Sequence, residues 1–272
     1  MKIGVRMRKL LLAAMIALSV AGQQAMAVDT MMDLTTSGAV QTHNGGIFEQ
    51  IEAFSTSTGT GVIQPFLRVQ TNQGIERGYN TGGTLEYDAT APWTTPLLLD
   101  EVPVVKLGDN INYRQFLLDI NQNGNANGRF LSVDEIAIYQ AAVGNLTGWE
   151  TDPQPLGGAA SFVWKLDDGP GFDPAVDDAW ILMDYTLNTG SGSGDMFAYI
   201  PDSLFTDLDY VYLYTVFGVH RPNTANFEEW AVLVGDVPPP PPPPPSVPAP
   251  GALLLVLGGS SLAISLNRRK QL

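Results

Sequence analysis

The sequence predicts a mainly β protein: a single β-sandwich of jelly-roll type, flanked by an N-terminal signal peptide and a short C-terminal transmembrane helix. Three observations carry this. Residues 28–236 break into many short runs rich in β-branched and aromatic residues, separated by clusters of Gly, Asn, Asp and Pro. No long stretch there repeats apolar residues at the i, i+3, i+4, i+7 spacing of an amphipathic helix. The two ends differ sharply in composition from this middle. Many short strands joined by Gly-rich turns favour a sandwich, and roughly 200 residues is ordinary for one such domain. The absence of an internal repeat disfavours a solenoid or propeller.

The strand candidates are 47–54, 61–69, 83–87, 113–120, 132–139, 160–166, 180–187, 196–200, 210–219 and 228–234. The run from Tyr210 to Phe217 is apolar or aromatic on both faces and reads as a central strand covered on both sides. It is a poorer fit to a sugar-stacking platform, which needs exposed rings. In 228–234, strand alternation sends Glu228 and Glu229 to opposite faces, so they make a poor acid/base pair.

The chain has 272 residues, 14 Lys and Arg, 28 Asp and Glu, two His, no Cys and a net charge of −14. Position sharpens that number. Lys2, Arg6, Arg8 and Lys9 lie in the first 27 residues, and Arg268, Arg269 and Lys270 in the last 26, with no acid in either end. The other seven cations share the middle with all 28 acids, a net charge of −21. Such a domain repels nucleic acid and anionic lipid, and suits divalent cations, basic partners or solubility in salt. Zero Cys excludes disulfides, Cys–zinc sites, Fe–S clusters and thiol catalysis. An exported fold of this kind stands on its core, with a metal ion as the available support.

The ends read as addresses. In residues 1–27 a basic start precedes the apolar run 10–20. Ala25-Met26-Ala27 then supplies the small-x-small pattern that signal peptidase cleaves, leaving Val28 as the new N-terminus. An uncleaved N-terminal anchor is the weaker reading, because the apolar run is short. Residues 237–246 contain the unbroken run Pro238 to Pro245, an extended, semi-rigid spacer. Residues 251–266 carry no charge. As a helix at about 1.5 Å per residue they would be about 24 Å long, slightly short of a permanent span. Arg268, Arg269 and Lys270 place that end in the cytoplasm and the body outside.

The tail 247–272 combines Val247, Pro248, Ala249 and Pro250 with the apolar segment and the final Arg268, Arg269 and Lys270. This layout resembles a PEP-CTERM protein-sorting domain, with Pro248-Ala249-Pro250 where that family usually has Pro-Glu-Pro. The resemblance implies recognition by an exosortase-type membrane transpeptidase in a Gram-negative-type bacterium. It implies membrane attachment through the helix before processing, then delivery to the cell surface or exopolysaccharide matrix. A simple single-span anchor is the rival. In the middle, the stretches 116–121, 131–136, 192–201 and 226–232 look like recurrent blocks of uncharacterised bacterial surface proteins. That likeness implies an extracellular location and supplies no mechanism.

The best local constellation is at 119–135. Asp119, Asn121 and Asn123 sit at i, i+2 and i+4 before Gly124, like the first half of an EF-hand calcium loop. The twelfth position is Phe130 instead of a bidentate Glu, so the late carboxylate would be Asp134 or Glu135 on the following strand. The metal candidates are therefore Asp119, Asn121, Asn123, Asp134 and Glu135, and Ca²⁺ is the expected cofactor. The alternative is a plain hairpin turn at Asn123-Gly124. Five acids at 167–178 read as a solvated acidic loop more readily than as a second calcium site. No catalytic pattern stands out. His43 and His220 fall in no metal-binding spacing, and 190–194 fits neither a nucleophile elbow nor a phosphate loop; a mobile loop fits it better.

The expectation is a non-enzymatic, calcium-supported surface or matrix protein with a structural or adhesive role and exopolysaccharide as its surroundings. A carbohydrate-binding module is the alternative, with exposed coplanar aromatics among Trp93, Trp149, Trp164 and Trp230. A surface polysaccharide hydrolase comes third.

Overall fold

A computed structural model describes residues 30–52, 63–71, 74–108, 110–149, 155–167, 179–190 and 192–234. Its strands form two sheets. The first has the order β1 (Thr30–Leu34), β11 (Ala179–Asp184), β9 (Phe130–Ala141), β13 (Tyr210–Phe217), β5 (Glu76–Tyr79). In it β10 (Ser161–Lys165) also pairs with β9, and β6 (Leu97–Leu98) with β13. The second has the order β2 (Val40–His43), β3 (Gly46–Gln50), β12 (Met196–Pro201), β8 (Asn112–Asp119), β14 (Glu228–Leu233), β4 (Ile63–Val69). Here β7 (Val104–Lys106) pairs with β8. β1 runs parallel to β11, whereas β8 is antiparallel to both β12 and β14. The described strands all fall inside 28–236, in agreement with a β-rich middle. Ala25, Ala27 and the tail residues lie outside the described residues. Among the described residues no helix is long and apolar enough to cross a membrane.

The sheets face each other across one core, to which both contribute. Alternation decides each contribution. On β8, Phe116 and Leu118 point inward, while Tyr113 and Leu117 belong to a smaller cluster on the outer face. Burying each such side chain is worth about 1.5–3 kcal/mol. β9 is long enough to need a correction to its alternation. Val216 pairs with Glu135 but Phe217 pairs with Val133, so Asp134 is the extra residue of a β-bulge. The bulge lets Leu131 and Val133 before it, and Ile136 and Ile138 after it, share the inner face.

The outer face of the first sheet is also covered. Tyr79, Tyr139, Trp149, Tyr212 and Tyr214 form a second cluster there, with Trp149 stacked on Tyr214. β13 is thus buried on both sides, as its composition indicates. Residues 83–87 correct the reading: they form no strand and instead belong to this cover. A Cβ on Gly83 would approach the Asn145 carbonyl oxygen to 2.7 Å, and Tyr87 adopts φ 57°, which ends any extended run. The Tyr87 hydroxyl donates to the Trp149 carbonyl at 2.5 Å. β1, β2, β5, β6 and β7 were not among the candidates.

Candidate functional site

β8 ends where β12 and β14 begin, because both run antiparallel to it. That register gathers side chains from distant parts of the chain at one end of the sandwich. Arg68 of β4 lies opposite Glu229 of β14, and Glu229 lies opposite Asp119 of β8. Asp195 follows alongside, its N–H bonded to the Leu118 carbonyl at 2.7 Å. The result is a row across the outer face of the second sheet: Arg68, Glu229, Asp119, Asp195. The three acids are 2–5% exposed. The loop before β12 covers them, and the Gly192 N–H donates to Asp119 Oδ2. The Arg68 guanidinium bonds Glu229 at 2.8 Å and sits over the rings of Trp93 and Phe227.

The inner face carries a second group. Glu228 points inward, on the same side as Trp230, while Glu229 points out with Ala231. Glu228 is fully buried and accepts the Asn121 N–H at 2.7 Å and Gln122 Nε2 at 2.5 Å. Glu76, also fully buried, accepts the Thr71 N–H and Asn223 Nδ2, each at 3.0 Å. Gln122 Nε2 also reaches Asn223 Oδ1 at 3.2 Å, joining the two.

Burial governs the protonation of this end. It pushes Asp119 up to about 7, helped by the charge of Glu229 and opposed by the Gly192 N–H. Burial and the neighbouring Asp119 hold Asp195 well above the usual carboxyl range, against the Ile120 N–H. Burial raises Glu76 to about 8, and burial together with Glu76 raises Glu228. The Arg68 charge only partly offsets the burial of Glu229, which is also raised. At neutral pH several of these groups keep their protons, since adjacent buried carboxyls do not both ionise.

The five metal candidates take different partners. Asp119 accepts the Gly192 N–H. Asn121 has a buried side chain, and its N–H goes to Glu228. Asn123 is exposed and donates from Nδ2 to the Thr224 carbonyl at 2.5 Å. Asp134 sits at the bulge, 2.7 Å from His220 Nδ1, with Ser132 Oγ and the Val219 N–H each at 2.8 Å. Glu135 is buried, with its charge felt by Tyr139 and Tyr214 of the aromatic cover. Among the described residues no group of three or more His, Cys, Asp or Glu side chains is arranged to hold a metal ion. Within the loop, Asn125 Oδ1 accepts the N–H groups of Asn127 and Gly128 at 3.1 and 2.8 Å, forming a turn.

Sequence spacing does not reveal Asp195 and Glu229 as the neighbours of Asp119, nor the Glu76–Glu228 group on the inner face. The signal that could find them is an acid at the lip of an otherwise apolar strand. Of the four tryptophans considered for sugar stacking, Trp149, Trp164 and Trp230 are at most 3% exposed, whereas Trp93 is 44% exposed. They present no shared stacking platform. No protein-family model matches the chain, and no curated protein or solved structure is detectably similar to it.

Proposed function

We propose that this chain is an exported cell-surface or extracellular-matrix protein, delivered by an exosortase-type sorting tail, with a structural or adhesive role and no catalysis of its own. The tail 247–272, set behind a polyproline spacer, carries the reading. The β-rich fold of the described residues is consistent with an exported body between the two processing segments. Strands β11 to β14 pass alternately between the sheets, which favours a jelly-roll-like winding. The most perturbed carboxyls are enclosed and bonded to main-chain amides, which favours a stabilising role over an acid/base one. Calcium support remains part of the proposal through the Asp119 loop. Deleting 247–272 tests the sorting. The truncated protein is expected in the medium, and unchanged retention in the envelope would remove the tail as the retaining signal.

A further inference from the structure

Above the buried carboxyls, a pocket of about 510 Å³ opens between the β8–β9 and β13–β14 loops. Asn123, Asn125, Asn127, Asn223 and Thr224 supply its polar wall, and Pro222 an apolar edge. No charged side chain lines it among the described residues, although the middle of the chain carries a net charge of −21. We propose that this pocket binds a neutral polyhydroxylated ligand, the sugar units of an uncharged polysaccharide. The proposal deepens the extracellular reading and rests on it.

The pocket is held in shape from two directions. Across its mouth, Thr224 Oγ1 accepts the Asn123 N–H at 3.2 Å and donates to the Gly128 carbonyl at 2.7 Å. At its side, Gly74 and Asn223 exchange main-chain hydrogen bonds of 3.1 and 3.0 Å. From below, Gln122 Oε1 accepts the Thr224 N–H at 2.9 Å, while its Nε2 is anchored on Glu228. A site already in its bound shape loses little free energy to ordering when a ligand arrives.

What remains for a ligand is a set of neutral amides. Asn123 Oδ1, Asn125 Nδ2 and the whole Asn127 side-chain amide take no hydrogen-bond partner among the described residues. Together they offer both acceptors and donors. Each sugar hydroxyl is likewise donor and acceptor, so neighbouring hydroxyls match such amides in either sense. A hard cation wants carboxylates in its shell, and an anion wants Arg, Lys or a helix N-terminus; the wall has none of these. Pro222 offers a surface for the C–H face of a sugar ring. Without an aromatic platform the single-site affinity is modest. Many copies held in one matrix raise it through avidity.

The test is a glycan microarray with the protein isolated from the cell envelope, followed by affinity electrophoresis through gels containing dextran, galactomannan or alginate. Binding to neutral glycans and no retardation by alginate are expected. Asn127→Ala, which touches no internal side-chain hydrogen bond, is expected to weaken neutral-glycan binding at least five-fold. That single variant is expected to keep the parent melting temperature; adding Asn125→Ala should weaken binding at least twenty-fold with a lowered melting temperature, because Asn125 Oδ1 closes the turn. No neutral glycan bound, binding to alginate alone, or full binding by folded Asn127→Ala would each overturn the pocket. Those results leave the sorting proposal standing. Conversely, Asn127-dependent glycan binding by a protein whose tail deletion changes nothing would remove the sorting and keep the pocket.

Discussion

The Glu228 carboxyl accepts the main-chain N–H of Asn121 at 2.7 Å, joining two residues 107 positions apart. One residue earlier, the Ile120 N–H is taken by Asp195 at the same distance. The β8–β9 loop is thus hung from acids supplied by the two strands that flank β8. Each acid is buried beside another, so the arrangement depends on how many protons the group holds.

Stability should therefore fall as pH rises from about 5 to 8. In the unfolded chain these carboxyls ionise near pH 4. In the folded protein Asp119 is raised to about 7 and Glu76 to about 8, with Asp195 and Glu228 also raised. Between those limits the native state binds more protons than the unfolded one, so each unit of pH costs about 1.4 kcal/mol per extra proton held. Urea unfolding at pH 5, 6.5 and 8 measures the slope. A midpoint that rises across this range contradicts the protonation scheme.

Glu76→Gln should flatten that dependence. Glu76 Oε2 accepts from Thr71 and Asn223, while Oε1 takes no hydrogen bond apart from its contact with the Glu228 carboxyl. A glutamine amide keeps the two accepted bonds and places a permanent donor toward Glu228. The variant is expected to match or exceed the parent at pH 8 and to gain little at pH 5. Equal losses at both pH values would show that the carboxyl is needed as such.

Calcium is expected to act only where protons have left. At pH 8 the Asp119–Asp195 neighbours carry more charge, and a divalent ion binding there would raise the melting temperature by mass action. Millimolar calcium should stabilise at pH 8, with reversal by EDTA, and do nothing at pH 5. Identical melting curves in calcium and EDTA at pH 8 would remove calcium from the proposed function.

Much of this was legible in the chain and some was not, for physical reasons. β13 is readable because Tyr210 to Phe217 is apolar on both faces, and Trp149 supplies the outer cover. β1 is not, because only Met32 and Leu34 of its five residues are buried and its ladder comes from parallel pairing with β11. Asp119 stands out through its spacing with Asn121 and Asn123. Its neighbours Asp195 and Glu229 are assembled by antiparallel register, and Glu76 meets Glu228 through the packing of one sheet on the other; local spacing encodes neither. Asp134, a candidate late carboxylate from its place on the following strand, sits at the bulge against His220.

Asp134→Ala should then be destabilising whether or not calcium is present. The buried carboxylate accepts from Ser132 Oγ, the Val219 N–H and His220 Nδ1, and so ties the bulge to the turn that follows β13. Alanine leaves those donors without their acceptor and the Ser132 hydroxyl without its carboxylate. A loss of roughly 1–3 kcal/mol follows, the usual cost of leaving donors without their acceptor. Asp134→Asn keeps the shape and one accepting oxygen, and should lose less than half as much. The same comparison in calcium and in EDTA separates the two roles open to this residue. A bulge anchor gives equal losses in both. A metal ligand gives a loss confined to calcium, which would support Asp134 as a ligand.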